Sequence, residues 1–495
     1  MDQPLILALD IGTSSVRTAL YDFRGNVLPE TMVKYERSLA ATDDGGAEID
    51  AEKAFSQVVA AIDEGLKKSK SLNGEIEYVA ASSFWHSLVG IDAKGKPTTT
   101  VFGWADTRSR AHTSVLRIKF NQTAVHNRTG ARFHSSFWPA KLLWLRKDFS
   151  KTYAKTEKWL SFSDFVMMRL CGETVTSVSM ASGTGIFDIR KCVWDQSLLK
   201  FLKIKNDNLP QIVDSDSISF QLNGEFAKRW PRLKNAKWFP AIGDGAANNI
   251  GAGCMKKSKA ALMIGTSGAM RVAYKGEPPA KIPSGLWCYR IDRKRVIIGG
   301  ALSDGGGLYS WLKDNFRLRE DDDHTEAEIA KRAPDAHGLT FLPFLAGERS
   351  TGYHESANGA ILGLRSSTDK IDIVQAALES VAYRFAEIFE QLKGVVKITE
   401  IIASGGALRE SPVWTQIIAD VLGRNLSLPD TREASSRGAV LLVLQTIDKI
   451  KTIETIPTPH GKKFEFDRSK FRLYEMARIE SEEYYSLLCD REEQT

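Results

Sequence analysis

The chain carries nearly the same short turn twice. Asp10-Ile11-Gly12-Thr13-Ser14-Ser15 follows the apolar run Leu5 to Leu9, and Met263-Ile264-Gly265-Thr266-Ser267-Gly268 follows Ala260 to Leu262. A Gly-Thr-Ser turn between two strands presents successive backbone N–H groups and short hydroxyls, a donor set that suits phosphate oxygens. Two copies point to a polyphosphate held from both sides, with Gly12, Thr13 and Ser14 on one side and Gly265 and Thr266 on the other. Only the first copy is headed by an acid, Asp10, where the second has Met263. A carboxylate at the mouth of a phosphate turn is placed to hold a hard cation, directly or through water, so Asp10 is the candidate for Mg²⁺.

A second acid stands between two glycines, in Ile242-Gly243-Asp244-Gly245-Ala246-Ala247. The small residues predict a helix that starts at Asp244, the glycines leave room for a substrate, and the positive end of the helix favours the anion. Asp244 is therefore the candidate for accepting a proton from a substrate hydroxyl. Ile401-Ile402-Ala403-Ser404-Gly405-Gly406-Ala407 reads as a buried strand ending in a double glycine, where a ring or a ribose can approach the backbone. The run Gly299 to Gly307 behaves similarly and places Gly306 at the same nucleotide. Trp85-His86, Trp104-Ala105-Asp106-Thr107-Arg108 and Arg128-Thr129-Gly130 combine aromatic faces with polar groups. Sugars and polyols are stacked and hydrogen-bonded by such sets, so Trp85, His86 and Trp104 are the candidate substrate residues.

Positioning these groups takes strands that end at the turns. Leu5 to Asp10, Val16 to Asp22 and the stretch after Gly25-Asn26 read as a three-stranded meander with the first turn joining its first two strands. Asp50 then caps a helix whose apolar face is Phe55, Val58, Val59, Ile62 and Leu66, and Ile76 to Ala81 is the next strand. The second half repeats the plan with Ala260 to Ile264, Met270 to Tyr274, Val296 to Gly300 and a helix from about Leu308, and Ser411-Pro412 opens a further helix that runs to Gly423. Ile11 and Ile264 are offset by about 253 residues, half the chain, as in two duplicated lobes that close on one ligand. The order of elements predicts mixed α/β domains rather than a doubly wound sheet. The passage Gly251-Ala252-Gly253 sets the boundary, giving lobes over 1–251 and 252–450 and a tail over 451–495 with helical character from Ser469 to Leu488. The polar, acidic segment Arg319 to Pro334 reads as an exposed helix or loop.

With 495 residues, 43% hydrophobic and 26% charged, the chain is long enough for two cores and has the composition of a globular protein. The net charge of +6 is spread out, without the basic stripe that nucleic acid requires. No apolar stretch approaches the ~20 residues of a membrane span. The five cysteines have no paired spacing and read as reduced thiols of a cytoplasmic protein.

These residues together resemble the FGGY family of carbohydrate kinases. Its further signature is similar to Gly359-Ala360-Ile361-Leu362-Gly363-Leu364, Asp372-Ile373 and Ala376-Ala377-Leu378-Glu379. The resemblance implies two duplicated actin-like, ribonuclease-H-like ATPase domains with a cleft between them. It implies ATP and Mg²⁺ as cofactors, Asp244 as general base, Asp10 beside magnesium, and Gly405 and Gly406 at adenosine. Partners implied are a small sugar or sugar acid, with neither nucleic acid nor membrane, in a fold that also allows a homodimer. Within the family, Trp85-His86-Ser87-Leu88, Trp104 to Ser109 and Pro343 to Ser350 look most like gluconokinases. Xylulokinases usually show Met or Gln before the histidine and a third glycine in place of Ser404. The expected reaction is therefore phosphorylation of a terminal hydroxyl on an open-chain sugar acid, D-gluconate giving 6-phosphogluconate. Other pentose or polyol kinases, and an ATP-gated switch of the chaperone type, are the alternatives. A substrate carboxylate would find its cation among Arg108, Arg128, Arg132 and Lys141.

Overall fold

The first turn closes a hairpin between the strands Leu5–Ile11 and Ser15–Asp22, and the second closes one between Lys259–Ile264 and Gly268–Lys275. In each case the first strand of the hairpin also pairs, in parallel, with a strand that arrives much later, Ile76–Ser83 in one lobe and Glu400–Ser404 in the other. A third antiparallel strand, Val33–Glu36 or Arg295–Leu302, extends each hairpin on its far side. The duplication expected from the two turns is thus a duplication of sheet topology. The computed structural model describes residues 4–37, 39–214, 219–318, 322–430 and 433–489.

Parallel pairing needs a crossover, and a helix supplies it in both lobes. In the first lobe it is Ala51–Lys68, whose N-cap Asp50 accepts the amide N–H of Lys53. Its Phe55, Val58 and Ile62 are buried against Leu7, Leu9 and Val79 of the sheet. In the second it is Lys370–Lys393, opened by a reciprocal cap between Asp369 and Asp372. Every residue of Leu5–Ile11 is buried, as befits a central strand covered on both faces.

The two lobes meet where the helices Asp244–Gly251 and Ala434–Thr446 cross. A Cβ on Gly251 would lie 1.9 Å from the carbonyl oxygen of Ala434, and one on Gly438 would lie 1.8 Å from that of Ala247. Backbone touches backbone there, so the small residues after Asp244 serve the lobe junction as well as the substrate.

The strand Trp287–Asp292, antiparallel to Arg295–Leu302, is an element the sequence reading lacked. The tail helix runs over Arg468–Cys489, one residue beyond the expected span at each end. Of the acidic segment, 319–321 lie outside the described residues; 322–331 form the helix Asp322–Lys331, which is largely exposed, as expected, and buries Thr325 and Ile329. All five cysteines are buried, and none is joined in a disulfide. Among the described residues, no helix is long and apolar enough to cross a membrane.

Candidate active site

Both turns tie their carbonyl oxygens back into the protein. Arg37 donates to the carbonyls of Gly12 and Thr13, and Gly12 N–H bonds the Ser15 carbonyl to close the hairpin. In the second turn, the amides of Gly306 and Gly307 donate to the carbonyls of Gly265 and Thr266 at 2.8 and 2.9 Å. With the acceptors engaged from behind, the remaining edge of each turn is a donor edge suited to an anion. Ser14 is exposed at the first turn. The glycine run is therefore part of the second turn's construction. Gly405 is the third piece: its φ is 104° and a Cβ there would lie 2.0 Å from the Ile264 carbonyl oxygen. Gly306 likewise approaches Ala407, so Gly265, Thr266, Gly306, Gly405, Gly406 and Ala407 form one surface at the end of the second sheet.

Asp10 sits opposite Ser82 in the parallel register, and the Ser82 hydroxyl donates to its Oδ1 at 2.6 Å. Burial pushes the Asp10 carboxyl above its ordinary range, against the Ser82 hydrogen bond and the charges of Arg17 and Arg37. A cation beside this carboxylate would restore the charge that burial penalises, so the donor fits a hard metal ion.

Asp244 is the first residue of its helix, as expected, and its Oδ1 accepts the Gly245 N–H at 2.7 Å. The helix N-terminus does not dominate its electrostatics. Burial raises its pKa to about 6, partly offset by the Arg271 guanidinium and reinforced by the charge of Asp10. That value suits a proton acceptor near neutrality better than a strongly stabilised anion would.

Trp85 lies beneath this turn. Its Nε1 donates to the Ser179 carbonyl at 3.0 Å, its ring meets Trp287 and Tyr289 edge-on, and it is only 5% exposed. The structure places it as a support under Gly243, with the ring enclosed rather than open to a sugar. His86 adopts φ 69°, and its Nδ1 is 2.5 Å from the Gly183 carbonyl. A carbonyl only accepts, so Nδ1 carries the proton and Nε2 is an acceptor; burial holds the ring neutral, with its pKa pushed down to about 3. Trp104 is less enclosed, and its Nε1 donates to the Thr13 hydroxyl at 3.3 Å, linking the aromatic group to the first turn.

Of the expected cations, Arg108 is engaged by Asp106 and Glu48, and Arg128 by Asp195 and Ser197. Arg132 donates to the Ser284 carbonyl and lies over the Tyr353 ring. Lys141 is buried, donates to the Ser135 carbonyl, and lies in the electrostatic field of both His86 and His134.

Sequence reasoning passed over Ser82, Arg271 and Arg349. The last was read only as part of a family-like segment. Its loop reaches across to the first lobe: Glu355 accepts from Ser135 N–H at 2.6 Å and from the Thr113 hydroxyl at 2.9 Å. Behind it, Glu348 is held by Arg384 and by the Tyr485 hydroxyl of the tail helix.

The chain matches the model for the N-terminal domain of the FGGY family of carbohydrate kinases over residues 5–251 and the C-terminal one over residues 260–445. It is 29% identical to the gluconokinase of Bacillus subtilis (strain 168) over 471 residues, 93% of this chain and 91% of that one. The crystal structure of gluconate kinase from Lactobacillus acidophilus, 26% identical, matches with a TM-score of 0.90 over 99% of both chains. The ligand-bound xylulose kinase of the same organism, also 26% identical, matches with a TM-score of 0.89 over 98% of both.

Proposed function

The chain belongs to the FGGY family of carbohydrate kinases, a phosphotransferase with an alcohol acceptor, and from that premise we propose that its acceptor is D-gluconate, which becomes 6-phosphogluconate. The observation that carries this choice is Lys141, a buried ammonium whose charge acts on His86 and His134 and is only partly balanced by Asp106 and Glu355, which we read as a cation for a substrate carboxylate where a neutral sugar would need none. The likeness to gluconokinases in two comparisons supports it.

In this reading the lobe over 1–251 holds the sugar against Trp104 and His86, with Trp85 supporting Asp244. The lobe over 252–450 holds ATP, its adenosine at Gly306, Gly405, Gly406 and Ala407. The phosphates bridge Gly12, Thr13 and Ser14 to Gly265 and Thr266. Asp10 would hold Mg²⁺, which neutralises phosphate charge when bound. Asp244 takes the proton of the terminal hydroxyl as its oxygen bonds to the γ-phosphorus, and the β–γ bridging oxygen leaves with ADP. Phosphoryl transfer asks mainly for alignment and charge neutralisation, which a closing cleft provides.

ADP release from Mg·ATP, measured with gluconate, xylulose, ribulose, glycerol and no sugar, tests the reading. Stimulation by gluconate above the rest is expected. Stimulation by xylulose instead moves the substrate, and steady ADP release that is the same with every sugar and with none favours an ATP-driven switch.

Two pH limbs follow from burial. Asp244 is protonated below about 6, so kcat rises with pH through that value. Burial lowers the Lys141 pKa to about 8, so its charge is present below that pH and lost above it. The KM for gluconate should therefore climb above pH 8 while the KM for a neutral sugar stays level. A gluconate KM that ignores pH in this range would remove Lys141 from the site.

A further inference from the structure

We propose that Arg349 is a catalytic residue, the fixed cation that faces the transferring phosphoryl group between the two turns. The inference rests on the assignment of those turns to the phosphates and does not depend on which sugar is the acceptor.

Two contacts place it. The guanidinium lies 4.2 Å from the centre of the Trp104 ring, and Trp104 is hydrogen-bonded to Thr13 of the first turn. On the other side its Nη2 donates at 2.6 Å to the carbonyl of Leu302, which pairs with Gly268 at the end of the second turn. One side chain thus spans the gap between the two phosphate turns, carried there by a loop of the second lobe that is pinned to the first.

Its bonding is also incomplete. Two other buried arginines have carboxylates, Arg384 with Glu348 and Glu387 and Arg295 with Asp292 and Glu454. Arg37 and Arg271, which lie near the candidate acids Asp10 and Asp244, share with Arg349 the lack of an ion pair among the described residues. Among the described residues, no carboxylate is in ion-pair contact with Arg349, and its Nε is sealed from solvent without a hydrogen-bond partner. Asp244 and Asp304 are near enough for their charges to act on it. A buried cation without a bonded counter-ion is costly in the empty protein, and an arriving polyphosphate supplies that counter-ion. Burial leaves its pKa at about 10, so the charge persists at neutral pH.

The neighbouring residues hold it still. Glu348, next in the chain, accepts from Arg384, Tyr485 and the Gly352 and His354 amides, so the loop cannot swing without breaking a buried network. The tail helix acquires a role through Tyr485: it braces the loop that presents Arg349. During transfer the acceptor oxygen bonds to phosphorus, the bridging oxygen leaves with its electron pair, and the proton goes to Asp244. Arg349 stays protonated and offsets the charge on the equatorial oxygens.

The test compares Arg349→Lys, Arg349→Gln and Arg349→Ala, using whichever sugar of the panel the wild-type enzyme turns over best. Removing one preorganised donor from a charged transition state costs about 10²-fold in kcat, so Arg349→Gln should lose that much with the KM for the sugar within threefold. Arg349→Lys should recover part of it, and millimolar guanidinium should raise the kcat of Arg349→Ala but not that of the wild type. Unchanged kcat in Arg349→Gln, a loss confined to the sugar KM, or no recovery with either lysine or guanidinium would overturn the proposal. A wild-type enzyme that prefers another sugar overturns the gluconate reading alone.

Discussion

Asp244→Asn should bind nucleotide nearly as the wild type does and lose kcat by 10² or more, the scale of a missing general base. The amide matches the carboxylate in size and can still accept the Gly245 N–H through its oxygen, so the turn keeps its shape. What it cannot do is take a proton. The substitution also removes the charge that faces the buried Arg271, so some stability is lost as well. Single-turnover measurement on protein shown to be folded separates the two effects. The variant should also lose the acid limb near pH 6, because the group that titrates there is gone. Retained wild-type turnover, or a persisting limb, would mean that another group accepts the proton.

The parts of this molecule that sequence reading reached are those whose cause is local. Asp50 before a helical stripe, and Ser411-Pro412 with Gly423 at the two ends of another helix, act on their own neighbours in the chain, and the Ser411 hydroxyl does accept the Trp414 N–H. The repeated turn is local too, and its repetition led directly to the duplicated topology. The strand Trp287–Asp292 was missed because it is buried on both faces and alternates with nothing. Part of that burial comes from the other lobe, where Ser182 and Ile189 bond Arg290. No periodicity within six residues could announce a partner about a hundred residues away.

The same limit governs the site. An aromatic residue before a histidine reads as a sugar platform, yet Gly183, Gly243 and Gly245 arrive from distant segments and enclose Trp85. Asp244 at a helix start reads as a stabilised anion, yet its environment is set by how much protein covers it, and burial wins. Arg349 is similar: its meaning lies in Trp104 and Leu302, from opposite lobes, which only the fold brings together.

Gly243→Ala should cost about as much activity as changing the base itself, although it leaves every polar group in place. A Cβ on Gly243 would stand 1.9 Å from the Cε2 of Trp85 and 2.2 Å from its Nε1, well inside contact distance. The indole cannot retreat easily, since Ser179 holds its nitrogen and Trp287 and Tyr289 close the other sides. The turn must therefore rise and carry Asp244 with it. A displacement of about 1 Å costs ~10² in rate, and overpacking of this kind costs ~1–3 kcal/mol in stability. ADP affinity should hold, because its proposed site is built on the second lobe. Trimming the ring should relieve the conflict, so Gly243→Ala combined with Trp85→Phe should be more active than Gly243→Ala alone. That non-additivity, measured as a double-mutant cycle in kcat, is the signature of a base positioned by the packing beneath it. Additive losses would mean that Trp85 and Gly243 act on the site separately, and that Asp244 is held by its own helix alone.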